Sequence, residues 1–256
     1  MKIDLNCDLG ESFGPYRLGD DAAMLEIVTS ANIACGLHAG DPPVMRETVT
    51  LAARRGVAIG AHPGYPDLQG FGRRAMHLQP AELEASLIYQ LGALAGFTQA
   101  AGAHLTHVKP HGALYNQAVA DREIAAAIAR AVASFDPTLI VVTLPEAALR
   151  LAARGNGLRV ALEGFADRAY LADGTLAPRQ RPGAVIHDPE LATARAVRMI
   201  TQGEVETIEG TVIPLRVNTL CVHGDTPGAA ILAAQLRHAL EAAQLVLAPL
   251  NEVLEG

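Results

Sequence analysis

Short apolar runs rich in β-branched residues alternate along this chain with longer segments of helical period, and no other feature restricts the fold as much. That alternation yields parallel strands joined by crossover helices. About seven such units fit within the 256 residues, a length that α/β barrels of roughly 200 to 250 residues use as one domain. No Pro/Ser-rich linker, charge run or low-complexity tract divides the chain. The expected architecture is a single TIM-like (β/α) barrel domain over residues 1–256, with about seven parallel strands.

The expected strands are residues 3–8, 30–35, 57–62, 105–109, 139–144, 160–165 and 220–223. Helices are expected over 42–55, 80–97, 121–134, 145–154, 189–202 and 226–244, several opening on proline, which suits a first helical turn. Within 80–97, Leu83, Leu87, Leu91 and Leu94 recur every three or four residues and form one apolar stripe for a sheet. Residues 205–217 break the rhythm and read as a hairpin turning at Glu209 and Gly210, while 164–188 is long enough to be a lid or binding loop.

Half the residues are apolar (50%), yet no run approaches the roughly 18 needed to cross a bilayer. The acids Asp4, Asp8 and Glu11 interrupt the start of the chain where a signal peptide would be apolar. The three cysteines, Cys7, Cys35 and Cys221, sit among small apolar residues and read as core fillers, which together with the missing leader points to the cytoplasm. A net charge of −7 and only two lysines, Lys2 and Lys109, leave no basic stripe for nucleic acid or an anionic membrane.

Polar residues gather just after the apolar part of nearly every strand, and in a parallel barrel those positions converge on the face that carries active sites. The groups are Asn6, Asp8 and Glu11; Asn32, His38 and Asp41; His62, Asp67, Arg73 and Arg74; Lys109, His111 and Asn116; Glu163, Asp167 and Arg168; and His223 and Asp225. Asp41 and Thr226 each precede a proline, so helix capping competes with a site role for them. Capping does not account for the sole internal lysine, Lys109, nor for four histidines, His38, His62, His111 and His223, each following a short strand. His77, His187 and His238 read as surface or capping residues, while His104 and His107 stay ambiguous. Neither a P-loop nor a G-x-S-x-G elbow occurs, so any ATP is held another way and the sequence argues against a serine-nucleophile hydrolase.

The strings LNCDLGESFG, NIACGLHAGD, GAHPGYPDLQGFGRR, HVKPHGALYN, EGFADRAY and CVHGD, in this order, resemble those of the LamB/YcsF family, from Met1 to about Leu247. That family includes the A subunit of an ATP-hydrolysing 5-oxoprolinase. The resemblance implies a deformed barrel akin to the glycoside hydrolase and deacetylase barrels. It also implies partner subunits B and C, and opening of 5-oxoproline to glutamate with ATP as co-substrate. A homo-oligomer is compatible with it.

On this reading Asp8, Glu11, His62, Lys109, His111, Glu163, His223 and Asp225 are the catalytic candidates. Asn6, Asn32, His38, Asp41, Arg73, Arg74 and Arg168 are the candidates for binding substrate or phosphate. Lys109, Arg73 and Arg74 would hold anionic groups, Asp8, Glu11 and Asp225 would act as base or orienters, and His62, His111 and His223 would carry protons. One rival is a deacetylase-like hydrolase with a divalent metal on Asp8, His38 and His62. Another is a binding subunit that supplies only the lactam pocket.

Overall fold

The computed structural model describes residues 1–222 and 228–255. Its parallel barrel is built from β1 (Lys2–Leu9), β2 (Ser30–Ala34), β3 (Ala58–His62), β4 (Leu105–Val108), β5 (Ile140–Thr143) and β6 (Arg159–Phe165). An antiparallel hairpin, β7 (Glu204–Glu206) with β8 (Val212–Pro214), then precedes the seventh barrel strand, β9 (Thr219–Val222). Barrel neighbours follow chain order, and β9 pairs with both β6 and β1, which closes the ring. Outside it, β10 (Val246–Leu247) pairs with Lys2 and Ile3.

The helices are α1 (Asp21–Met24), α2 (Pro42–Arg55), α3 (Pro80–Ala100), α4 (Gly112–Ala120), α5 (Arg122–Phe135), α6 (Ala148–Gly155), α7 (Pro189–Gln202), α8 (Ala229–Ala242) and α9 (Leu250–Leu254). The stripe of Leu83, Leu87, Leu91 and Leu94 on α3 is buried as its spacing demands, and each such leucine contributes about 1.5–3 kcal/mol. No helix among the described residues is long and apolar enough to cross a membrane.

Several helix bounds differ from the sequence expectation, and α4 was not among the expected helices. The helix expected from residue 145 starts at Ala148, because Ala147 is held extended and the Pro145 carbonyl accepts from Arg150 Nη1 at 2.7 Å. Residues 112–120, given no element from sequence beyond the candidate Asn116, form α4; Gly112 at its start, with φ +56°, concealed a helix whose buried positions are Ala113, Leu114, Tyr115 and Ala118. Asp121 then caps α5 by accepting from Glu123 N and Ile124 N.

The strands decide what the barrel encloses. On β1, Ile3, Leu5, Cys7 and Leu9 join the main apolar core, while the alternate Asp4, Asn6 and Asp8 hydrogen-bond to residues of other barrel strands. A register shift between Ile59 and Gly60 aligns Gly60 with His107. There a Cβ at position 60 would lie 2.1 Å from His107 Nε2, so only glycine leaves room for this interior histidine.

At the amino ends of the strands Asp4 accepts hydrogen bonds from Thr29, Ser30 and Thr219. Burial outweighs those bonds and pushes its carboxyl up to about 6. Ile140, Val142 and Ala161 pack with Leu250 of α9 in a small apolar cluster of their own.

Candidate active site at the carboxyl ends of the barrel strands

A pocket of about 560 Å³ lies at the carboxyl ends of the strands and is lined by Asp8, Glu11, His62, Arg73, Lys109 and His111. Arg168 and residues 175–180 of the loop after β6 also face it. The long loop expected over 164–188 thus forms part of the pocket wall.

Lys109 is the electrostatic centre. Its side chain is 3% exposed, and Nζ stands 2.9 Å from Asp8 Oδ1 and 2.8 Å from Glu163 Oε1. It also donates to Cys221 Sγ at 3.1 Å and to Asn6 Oδ1 at 3.4 Å. Burial alone would depress this ammonium, but Asp8 and Glu163 hold it well above the ordinary lysine range. The carboxylates thus favour the charged form of Lys109.

A polar layer beneath positions both carboxylates. Asn32 Nδ2 donates to Asp8 Oδ1 at 2.9 Å and to Asn6 Oδ1 at 2.7 Å, while Asn6 Nδ2 donates to Glu163 Oε1 at 3.2 Å. His107 Nε2 pairs with Asn32 Oδ1 at 2.8 Å, and burial pushes its imidazole down to about 3. Tyr115 on α4 donates to Glu163 Oε2 at 2.8 Å. Sequence reading missed Tyr115 and left His107 open; the signals were parity with Lys109 along β4, and a spacing of one helical turn from His111.

His38, His62 and His111 converge beside Glu11. His38 stacks on His111 with ring centroids 3.8 Å apart, and both stand edge-on to His62. Burial depresses the His38 imidazole well below its usual value and brings His111 down to about 3. The backbone between Gly70 and Gly72 shapes this corner. Phe71 adopts φ +55° and its ring meets both His38 and His111 edge-on, while Gly72 at φ +64° has His111 Cδ2 and His38 Cβ within 2.8 Å of where a Cβ would sit. Glu11, His38, His62 and His111 offer ligand atoms all within 4.8 Å of one another, a set able to hold a metal ion.

The structure separates other sequence candidates from the pocket. Asp41 caps α2, accepting from Val44 N at 2.9 Å and Gly14 N at 2.6 Å, so its place is that of a helix cap. Arg74 pairs with Asp67 and is largely exposed, so it turns away from the pocket that its neighbour Arg73 lines. Arg168 faces the pocket and donates to the Ala177 carbonyl at 2.7 Å. Asn6 and Asn32 lie below the pocket floor and His38 stands behind His111. His223, Asp225 and Thr226 lie outside the described residues.

A closed parallel barrel with ionisable side chains gathered at its carboxyl end defines a TIM-like barrel with a candidate active site on that face. The chain belongs to the LamB/YcsF family, whose profile matches residues 3–255. It is 58% identical over 254 residues to a Methylococcus capsulatus protein named as the A subunit of 5-oxoprolinase, covering 99% of this chain and 98% of the relative. A crystal structure of a lactam utilization protein from Thermus thermophilus superposes with a TM-score of 0.93 at 52% identity, covering 97% of this chain and 99% of that one. A T48 deacetylase, at 14% identity and a TM-score of 0.52 over 99% of this chain and 92% of its own, shares the fold alone.

Proposed function

We propose that this chain is the A subunit of an ATP-dependent 5-oxoprolinase, working in the cytoplasm with B and C subunits to open 5-oxo-L-proline to L-glutamate. The observation that carries the reading is the pairing of a relative of that name at 58% identity over nearly the whole chain with a pocket that sets a buried ammonium among carboxylates and arginines.

A five-membered amide is a poor electrophile with a carboxylate beside it. Arg73 and Arg168 on the pocket wall suit that carboxylate, and Lys109 suits negative charge gathering on the carbonyl oxygen. Phosphoryl transfer from ATP to that oxygen gives an O-phosphorylated imidate. Water adds to its carbon, Asp8 takes the proton, and the carbon–nitrogen bond breaks as the proton passes to the departing ring nitrogen. The resulting acyl phosphate takes a second water to give glutamate and phosphate. Glu163 holds Lys109 in place and Glu11 borders the site of water attack.

The test is glutamate release from 5-oxoproline with ATP, by this chain alone and then with B and C subunits. Turnover in the full mixture that is lost in Asp8→Asn supports the reading. The buried Glu/His cluster favours a second reading, a metal-dependent deacetylase-like hydrolase. Metal-stimulated release of acetate from N-acetylated sugars by this chain alone, without glutamate formation in any mixture, would put that reading first.

A further inference from the structure

Two hydrogen bonds fix the tautomers of the histidine cluster. His62 Nδ1 lies 2.7 Å from the Lys109 carbonyl oxygen and His111 Nε2 lies 2.8 Å from the Phe71 carbonyl oxygen. A carbonyl oxygen only accepts, so each of those nitrogens carries the ring hydrogen. What remains is a bare lone pair on His62 Nε2 and another on His111 Nδ1, and these two atoms face each other at 2.9 Å. Two lone pairs at that separation repel unless something positive stands between or beside them.

His38 adds a second, independent anomaly. Its side chain is fully buried, and among the described residues neither ring nitrogen has a hydrogen-bond partner. Nε2 nevertheless points toward the same place, 3.5 Å from Glu11 Oε1, and that oxygen lies 3.6 Å from His111 Nδ1. A proton shared by His62 and His111 would reconcile those two rings but would leave His38 orphaned. A cation bound to all four groups answers both anomalies.

We infer that His38, His62, His111 and Glu11 bind one divalent transition-metal ion. Three imidazole nitrogens and one carboxylate oxygen form the donor set of a borderline ion such as zinc or cobalt, not of magnesium or calcium. The backbone carbonyls of Lys109 and Phe71 take the outward ring hydrogens, the second layer that orients metal-bound histidines. Asp8, a ligand in the rival metal reading from sequence, has one oxygen 2.9 Å from Lys109 Nζ, while its other oxygen lies 3.4 Å from His62 Nε2. Glu11, His62 and His111 line the pocket and His38 does not. The ion therefore borders the substrate space, where it would supply Lewis-acid character next to Lys109.

The inference stands apart from the reaction assigned above and is tested by binding. Full-length protein stripped with a chelator is dialysed against Zn2+ or Co2+, with metal content, the Co2+ visible spectrum and thermal unfolding followed together. The expected result is one equivalent per chain, a ligand-field spectrum and a raised Tm. His38→Ala and His111→Gln should each weaken binding at least tenfold, and His77→Ala, at an exposed site, should leave it unchanged. Should either variant fail to fold, the wild-type titration decides by itself. Retention of less than a tenth of an equivalent, or Co2+ spectra that persist in His38→Ala or His111→Gln, would overturn the inference. Glutamate formation by a metal-free complex would overturn it as a functional site while leaving the oxoprolinase reading intact.

Discussion

Lys109 and Glu163 form an ion pair inside the barrel, Nζ to Oε1 at 2.8 Å, with side chains 3% and 0% exposed. Both charges are costly to bury, and the second carboxylate, Asp8, makes the cluster stable only while the ammonium is present. Lys109→Met leaves two carboxylates facing an uncharged stem, so a loss of about 3–5 kcal/mol is expected, together with loss of turnover. Urea unfolding reads the first effect. The double variant Lys109→Met with Glu163→Gln should recover part of the stability and none of the activity. Equal destabilisation in the two would show that repulsion is not the cause.

Tyr115 holds the other oxygen of Glu163, its hydroxyl donating to Oε2 at 2.8 Å. Tyr115→Phe removes that donor without opening a cavity, and the expected cost is about 1–3 kcal/mol because the carboxylate oxygen is left buried and unpaired. A chemical denaturation midpoint indistinguishable from wild type would mean that another group takes the donor's place.

Gly72 combines two constraints that Gly14 separates. Both have positive φ, +64° and +55°, but a Cβ meets nothing within 4 Å at Gly14 and crowds His111 and His38 at Gly72. Gly14→Ala should cost only the left-handed backbone penalty of about 1–2 kcal/mol. Gly72→Ala should cost about 1–3 kcal/mol more through overpacking. Equal losses in thermal unfolding would show that the histidine corner yields freely.

Two buried groups impose opposite pH dependences. His107 is neutral in the fold down to about 3 but takes a proton near 6.5 when unfolded, so its contribution is present above 6.5 and is lost as pH falls below it. Asp4 is protonated in the fold up to about 6 but ionises near 3.8 when unfolded, so it costs stability as pH rises through that window. Each acts at about 1.4 kcal/mol per pH unit, and between pH 4 and 6 they largely cancel. His107→Gln should therefore gain stability relative to wild type as pH falls from 6 to 4, and Asp4→Asn should gain relative to wild type as pH rises over the same range. Parallel stability curves for wild type and variant would remove that residue from the account.

The candidate site was legible in part. Lys109 stood out because it is the chain's only internal lysine and ends a strand before Pro110, and the pocket indeed forms around it. Asp8, Glu11, His62, Arg73, His111 and Arg168 also border that pocket, whereas Asp41 and Arg74, drawn from the same strand-end positions, lie in a helix cap and an outward ion pair. Arg73 and Arg74 are adjacent in a loop, and no periodicity says which of two neighbours turns inward.

What the amino-acid sequence determined by itself is the rhythm of strands and helices and the leucine stripe of α3, because each depends on residues within one or two turns of one another. What only the tertiary structure decided is which way the interior residues face and what they meet. Asn6 lies within the first strand, as expected, but its side chain faces Glu163 across 157 positions of sequence. The facing lone pairs of His62 and His111 arise because the carbonyls of Lys109 and Phe71, 47 and 40 positions away, fix each tautomer. Barrel closure and strand register set those distances, and both are properties of the whole ring of strands that no local window contains.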